Sequence, residues 1–111
     1  MSAVLKQQAR SAWRRVCALD EIPRAGARVV KGPGGDIALF RTADDRVFAV
    51  RDRCPHKGGP LSQGIVYGHK VACPLHGWHI DLESGAAVAP DEGCAGRYAV
   101  KVEGGAVFLE L

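Results

Sequence analysis

The residues of this chain best suited to bind a metal are two cysteines and two histidines in two short pairs. Cys54 and His56 lie two residues apart, and Cys73 and His76 lie three apart, which gives the pattern C-x-H-x16-C-x2-H. Thiolate sulfur and imidazole nitrogen are both ligands of transition metals. Residues two apart in an extended segment project from the same face, so Cys54 and His56 can reach one site. These four residues are therefore the leading candidates for a metal centre.

Three interpretations of the four residues remain open on spacing alone. The cysteines could be buried apolar residues beside surface histidines, although that leaves the repeated Cys-Pro order unexplained. A structural zinc site takes the same ligands, but zinc fingers usually group cysteine with cysteine and histidine with histidine. A Rieske-type [2Fe-2S] centre holds one iron by two cysteines and the other by two histidines. The mixed composition of each pair favours this third interpretation.

Strand-forming runs on both sides of the pairs predict a β scaffold. Residues 36–41 and 46–50 are alternating or apolar runs joined by four turn-forming residues, which predicts a hairpin. A second hairpin is predicted from residues 98–102 and 107–111 around Gly104 and Gly105. Between the two hairpins, we expect two loops joined by a small hairpin of residues 65–67 and 70–72. The predicted fold class is all-β, with antiparallel sheets that present the two loops.

Length and composition favour one small globular domain rich in turns. The chain has 111 residues, of which 14 are glycine and 6 are proline, and 47% are hydrophobic. This size corresponds to a single domain. We expect residues 1–11 to form a tail or a short helix, and residues 12–111 to form the domain.

The distribution of charge argues against nucleic acid as a partner. The net charge is +3, but from Val16 onward there are 11 Lys and Arg residues against 12 Asp and Glu residues. The body of the domain therefore lacks the basic stripe that phosphate contacts need. No apolar run approaches the roughly 20 residues of a membrane span, and no signal-peptide core is evident. We expect a cytoplasmic protein that binds neither nucleic acid nor a membrane, and in a reducing cytosol cysteines are more often metal ligands than disulfides.

From about Trp13 to the C-terminus, the sequence resembles the Rieske [2Fe-2S] proteins, on the motifs Cys54-Pro-His56 and Cys73-Pro-Leu-His76. The resemblance implies an antiparallel β-sandwich with a two-loop subdomain that binds the iron-sulfur cluster. It also implies that Cys54 and Cys73 bind the inner iron, and that His56 and His76 bind the outer iron near solvent. Residues 89–90 match a third, proline-bearing loop that covers the cluster in this family.

The resemblance also implies a low reduction potential. Respiratory Rieske proteins carry an extra cysteine in each loop, and serine and tyrosine hydroxyls that donate to cluster sulfurs. In this sequence Gly59, Leu75, Trp78 and Ile80 stand in that region, and none can supply a disulfide or a hydroxyl. Fewer donors stabilise the reduced cluster less, so we expect a potential on the order of −150 mV.

Longer segments, residues 54–66, 73–78 and 89–94, resemble the small subunit of assimilatory NAD(P)H-dependent nitrite reductase. This resemblance implies one-electron transfer to a large flavin and sirohaem subunit that reduces nitrite to ammonium. No independent substrate site is expected on so short a chain. The alternative is a Rieske ferredoxin that receives electrons from a ferredoxin reductase and delivers them to an aromatic-ring dioxygenase.

Other chemically active side chains are interpreted as background. Cys17 lies in a predicted strand, and Cys94 follows an acidic segment, so neither is expected to be redox-active. His69 and His79 are not expected to be ligands, because the four ligand positions are already filled. Lys57 is expected to be a solvated lysine, with docking of an acidic partner as its alternative role.

Overall fold

Antiparallel strands make up nearly all the regular structure of the protein. The structure is a computed structural model that describes residues 13–55, 58–74, 77–88 and 93–110. Its strands are β1 (Trp13–Ala18), β2 (Gly26–Gly32), β3 (Gly35–Arg41), β4 (Val47–Arg51), β5 (Ile65–Tyr67), β6 (Lys70–Ala72), β7 (His79–Asp81), β8 (Arg97–Tyr98), β9 (Val100–Glu103) and β10 (Ala106–Glu110). Short 3-10 helices span Leu19–Glu21 and Leu61–Gln63. The all-β prediction is confirmed, whereas the predicted tail over residues 1–11 lies outside the described residues.

The strands form three antiparallel sheets. The basal sheet has the order β1-β10-β9, the central sheet the order β2-β3-β4-β8, and the site sheet the order β5-β6-β7. The basal sheet pairs the first described strand with the last, so strands distant in sequence complete the scaffold. Each loop of the candidate site adjoins the site sheet, because one loop precedes β5 and the other separates β6 from β7.

Strand β3 is buried on both faces, which makes the central sheet the middle layer. Along β3, Ile37 and Leu39 pack in the core shared with the basal sheet. Ala38 and Phe40 point the other way, since neighbouring residues in a strand face opposite sides, and pack in the core shared with the site sheet. These four side chains have no exposed area. The site sheet is thus fixed to the rest of the domain by apolar burial.

The three predicted hairpins are confirmed, and the structure differs from the prediction in two other features. Residues 98–102 were expected to form one strand, but Tyr98 pairs with Ala49 in the central sheet and Val100 pairs with Leu109 in the basal sheet. The segment therefore crosses from one sheet to the other near Ala99. Strand β7 was not predicted, since unlike β5 and β6 it is not part of a hairpin with an adjoining turn signal.

Within the described ranges, no helix is both long and apolar enough to cross a membrane.

Candidate metal centre

The two loops that carry the cysteines are closed by equivalent backbone hydrogen bonds. Loop 1 comprises residues 54–59 and loop 2 comprises residues 73–78. The backbone N–H of Cys54 donates to the carbonyl oxygen of Gly59 at 2.7 Å. The backbone N–H of Cys73 donates to the carbonyl oxygen of Trp78 at 2.6 Å. Each loop is thus closed by a bond between its first and sixth residues, and a cysteine occupies the same position in both.

Each loop has a glycine at its fifth position, where the backbone adopts a positive φ. Gly58 has φ +75° and Gly77 has φ +68°. Residues with a side chain rarely adopt this left-handed conformation, whereas glycine adopts it readily. In loop 1, the N–H of Gly58 also donates to the carbonyl oxygen of Cys54 at 2.9 Å. The repeated pattern Cys-Pro-x-x-Gly is therefore a loop-forming signal as well as a source of ligands.

Both loop cysteines are buried in the core shared by the central and site sheets. Cys54 is 2% exposed and Cys73 is 3% exposed. They belong to a cluster of buried apolar side chains that includes Leu61, Val71 and Ile80. No disulfide joins any two of the four cysteines, all of which lie in the described ranges. The loops therefore bring two thiol side chains into one apolar region.

The structure describes half of the predicted ligand set. Cys54 and Cys73 belong to one buried cluster, whereas His56 and His76 lie outside the described residues. Among the described residues, no group of three or more His, Cys, Asp and Glu side chains is arranged to hold a metal ion. The assignment of the four ligands thus stays a prediction at this point.

The cysteines fit the thiolate half of a [2Fe-2S] centre. Such a cluster needs cysteine sulfurs from two separate positions, and burial of those sulfurs is one of the features that tune its potential. Cys54 and Cys73 come from two separate loops, at equivalent positions, and both are buried among apolar side chains. An imidazole two or three residues farther along each loop would complete the donor set.

A third segment of the chain meets both loops at Gly93. A β-carbon on Gly93 would lie 3.0 Å from Cβ of Pro55 in loop 1 and 3.9 Å from the ring of Trp78 in loop 2. The carbonyl oxygen of Gly93 accepts the N–H of Ala87 at 2.9 Å. Residues 89–90, the predicted covering loop, lie outside the described residues. The contact at Gly93 shows that the segment after them returns to the candidate site.

The partly buried carboxylate of Asp52, just before loop 1, binds Ser62, just after it. Its two carboxylate oxygens accept the backbone N–H of Ser62 at 2.7 Å and the Ser62 hydroxyl at 2.8 Å. The backbone N–H of Asp52 donates to the carbonyl oxygen of Asp36 at 3.0 Å. Loop 1 is therefore braced against the 3-10 helix that follows it. No sequence pattern indicated this residue, because a single aspartate carries no periodic signal.

His69 joins the site sheet to the central sheet. Its Nε2 lies 3.0 Å from an Asp44 carboxylate oxygen and its Nδ1 lies 3.1 Å from a Glu83 carboxylate oxygen. The hydrogen bond to Asp44, and then that to Glu83, raise the pKa of His69. A hydrogen bond from Thr42, followed by that from His69, lowers the pKa of Asp44 to about 2. Both ring nitrogens of His69 thus face carboxylates.

The other background residues have identifiable surroundings. The Tyr67 hydroxyl hydrogen-bonds to Nδ1 of His79, and the two rings meet edge to face at 5.5 Å. Cys17 is buried in β1, and burial is the first cause that raises the pKa of its thiol. Cys94 is exposed, and its thiol donates to the carbonyl oxygen of Ala95. Lys57 lies outside the described residues.

Comparison with protein families gives a match to one family model. The model described as the Rieske [2Fe-2S] domain matches residues 12–101. This range includes both loops, the three sheets as far as β9, and the segment that returns at Gly93.

Individual relatives differ in how much of their length this chain covers. The 3-phenylpropionate/cinnamic acid dioxygenase ferredoxin subunit of Photorhabdus laumondii is 38% identical, over 86% of this chain and 91% of its own length. The 4β-methylsterol monooxygenase of Methylococcus capsulatus is 56% identical over 48 residues, which are 43% of this chain and 13% of the monooxygenase. The chain therefore spans about an eighth of that relative, and between 24% and 29% of several other oxygenase components.

A solved structure of similar size has the same fold. It is provisionally assigned as the small subunit of an NADPH nitrite reductase and superimposes with a TM-score of 0.80 at 30% identity. The match covers 88% of this chain and 97% of that one.

Proposed function

The chain belongs to the Rieske [2Fe-2S] domain family, and on this premise we propose that it transfers single electrons as the small subunit of an NAD(P)H-dependent assimilatory nitrite reductase. The cofactor of the family is a [2Fe-2S] cluster, which accepts and releases one electron when it is bound. The partner would be a large flavin and sirohaem subunit that reduces nitrite to ammonium.

We assign the cluster ligands as Cys54, Cys73, His56 and His76. The matching positions of the two cysteines in closed loops, together with their burial, support the assignment of the sulfur ligands. Support for the histidines is their place in the sequence, one in each loop beside its cysteine. In this arrangement the cysteines hold the inner iron and the histidines hold the outer iron.

The side chains around the loops favour a low reduction potential. Hydrogen bonds to the sulfurs and solvent access are the features by which a protein tunes such a cluster. Two hydroxyl side chains near the loops are already engaged, since Ser62 donates to Asp52 and Tyr67 bonds to His79. Water is limited at the cysteines, which lie in the apolar core. We therefore retain a midpoint on the order of −150 mV, the low end of the Rieske range.

The observation that carries the nitrite reductase assignment is the near full-length match to a structure assigned to that role. The superposition extends over nearly the whole of both chains. The segments 57–60 and 90–94, which resemble nitrite reductase small subunits in sequence, add to this support.

A ferredoxin that serves an aromatic-ring dioxygenase is the second candidate. A specific observation favours it, because a dioxygenase ferredoxin subunit is 38% identical over nearly the whole of both chains. Both candidates transfer one electron through the same kind of cluster, so only the partner distinguishes them.

Reconstitution with defined partners tests the assignment. The purified chain with its cluster would be added to a sirohaem nitrite reductase subunit, ideally from the neighbouring reading frame, and NAD(P)H-dependent nitrite reduction would be measured. In parallel, the reductase and oxygenase of a 3-phenylpropionate dioxygenase system would be tested without their own ferredoxin. We expect complex formation and nitrite turnover with the first set. Turnover with the dioxygenase set alone would overturn the nitrite reductase assignment.

A further inference from the structure

A positively charged pocket adjoins loop 1. Its volume is about 390 Å³, and the lining comprises Arg51, Arg53, residues 54–55, Gly58 and residues 94–96. None of the described residues that line the pocket is an aspartate or a glutamate. The pocket therefore combines two guanidinium-bearing residues with the backbone of the segment that contains Cys54.

The Arg53 side chain lies directly against loop 1. Its Nε is 3.2 Å, and its Nη2 is 3.5 Å, from the position that a β-carbon on Gly58 would occupy. Arg53 is nevertheless exposed to solvent. Its guanidinium can therefore cover the backbone of the loop and still bind a group from outside.

Arg51 is a more enclosed charge. Its guanidinium lies over the ring of Tyr98, 5.6 Å from the ring centre, and along the turn at Gly34 and Gly35. Its Nη1 is buried without a hydrogen-bond partner among the described residues. A buried guanidinium N–H without a partner is unfavourable and calls for an acceptor or a functional explanation. The Arg51 charge thus lies at the β2–β3 turn, and the guanidinium that contacts loop 1 is that of Arg53.

Several other arginines of the domain form ion pairs within the chain. Arg24 and Arg41 lie 3.0 Å and 2.9 Å from Asp45, and Arg46 lies 3.9 Å from Glu83. No carboxylate of the described residues lies within ion-pair distance of Arg51 or Arg53. The pocket therefore has positive charge available for an anion from another molecule.

We propose that this pocket binds a carboxylate side chain of the electron-transfer partner and so docks that partner against loop 1. The proposal rests on the proposed function only in that the partner is a redox protein. Arginine suits this role, because its planar guanidinium can bind both oxygens of a carboxylate. An acidic side chain held at Arg53 places the partner surface against loop 1, the loop that also carries His56, the proposed ligand of the outer iron.

A labelled hexaglutamate peptide tests the pocket without any assumption about the partner. Fluorescence anisotropy would measure its binding to the cluster-loaded chain at low salt, with Arg53→Gln, Arg53→Lys and the control Arg14→Gln. Arg14 is also exposed, but it lies on β1 and takes no part in the pocket. We expect about a tenfold increase in Kd for Arg53→Gln, since one charge-assisted bond is lost. Arg53→Lys should bind with intermediate affinity, and Arg14→Gln should resemble the wild type.

The visible and paramagnetic resonance spectra of the cluster should be unchanged in Arg53→Gln, which shows that the fold is intact. Equal peptide affinity in Arg53→Gln and Arg14→Gln would overturn the inference.

A second arm separates failure of the pocket from failure of the proposed function. Binding to the sirohaem subunit would be measured with the same variants at several salt concentrations. We expect Arg53→Gln to weaken this complex, and to reduce its salt dependence, because a surface charge pair is screened by salt. A complex that Arg53→Gln leaves unchanged overturns the docking inference while the function stands. If hexaglutamate binds through Arg53 but the sirohaem subunit does not bind, the nitrite reductase assignment fails instead.

Discussion

Replacement of Gly64 by alanine should loosen the site sheet at the strand that leads into Cys73. Gly64 follows the 3-10 helix after loop 1 and has φ −82°, a value that alanine adopts without strain. Its added β-carbon would lie 2.1 Å from the carbonyl oxygen of Ala72 and 2.9 Å from Cγ2 of Val71. The change therefore tests close packing of two backbones, separately from any restriction on φ.

The size of the effect follows from these distances. An ordinary contact of this kind is at least 3.4 Å, so the backbones must separate by about 1 Å. Added methyl groups in a packed interior cost about 1–3 kcal/mol, and here the obstacle is backbone rather than a flexible side chain. Alanine recovers about 0.4–1 kcal/mol by restricting the unfolded chain. We therefore expect a net loss of about 2 kcal/mol.

Anaerobic urea unfolding of the cluster-loaded protein measures this loss of stability. Unfolding would be monitored by circular dichroism and by the visible absorbance of the cluster. For an m value of about 1–2 kcal/mol/M, the midpoint should fall by about 1–2 M. Gly96→Ala is the matched control, because its nearest neighbour, Cβ of Arg51, would lie 4.0 Å away. Its midpoint should stay close to that of the wild type. Equal midpoints for the two variants would refute the proposed backbone clash.

Three further predictions concern the charges, the core and the cluster. Hydrogen bonds to carboxylates raise the pKa of His69 in the folded state. The bridge should therefore stabilise the protein fully below a pH of about 6.5, and progressively less as the pH rises through the raised pKa. The difference in unfolding free energy between the wild type and His69→Gln should shrink between pH 6 and pH 9, and a constant difference would contradict this. Ile80→Ala should cost about 2–5 kcal/mol in urea unfolding, since Ile80 is fully buried between sheets, and a loss below about 1 kcal/mol would show that the site sheet is not held by this core. Redox titration should give a midpoint potential near −150 mV. This potential should fall in alkaline solution as the proposed outer-iron ligands, His56 and His76, lose a proton. A clearly positive or pH-independent midpoint would refute the proposed low-potential cluster with histidine ligands.

The features that could be predicted from sequence are those set by neighbouring residues. The two Cys-Pro loops, the hairpin around residues 42–45 and the small hairpin before Cys73 all depend on local glycine, proline and alternation signals. The burial of Cys54 and Cys73 together follows from the same loops once the β scaffold forms. The resemblance to Rieske proteins supplied the fold family, which local patterns could not.

The features that could not be predicted depend on contacts between distant segments. His69 was interpreted as background, yet it bonds to Asp44 and Glu83, which are 25 and 14 residues away. Its position in a tight turn indicated exposure but not its partners. The division of residues 97–103 between two sheets likewise depends on β4 and β10 as neighbours. The alternating basic residues in Arg51-Asp-Arg53, just before Cys54, were a usable signal for the charged pocket that the sequence analysis overlooked.

Low-temperature paramagnetic resonance of the reduced protein, with detection of nitrogen couplings to the iron, tests the proposed ligands of the cluster. We expect a [2Fe-2S] signal coupled to two imidazole nitrogens, one from His56 and one from His76. Replacement of either histidine by serine should abolish that signal, whereas His69→Gln should leave it intact. A reduced cluster without histidine coupling, or a native signal in either serine variant, would exclude a Rieske-type centre with these ligands.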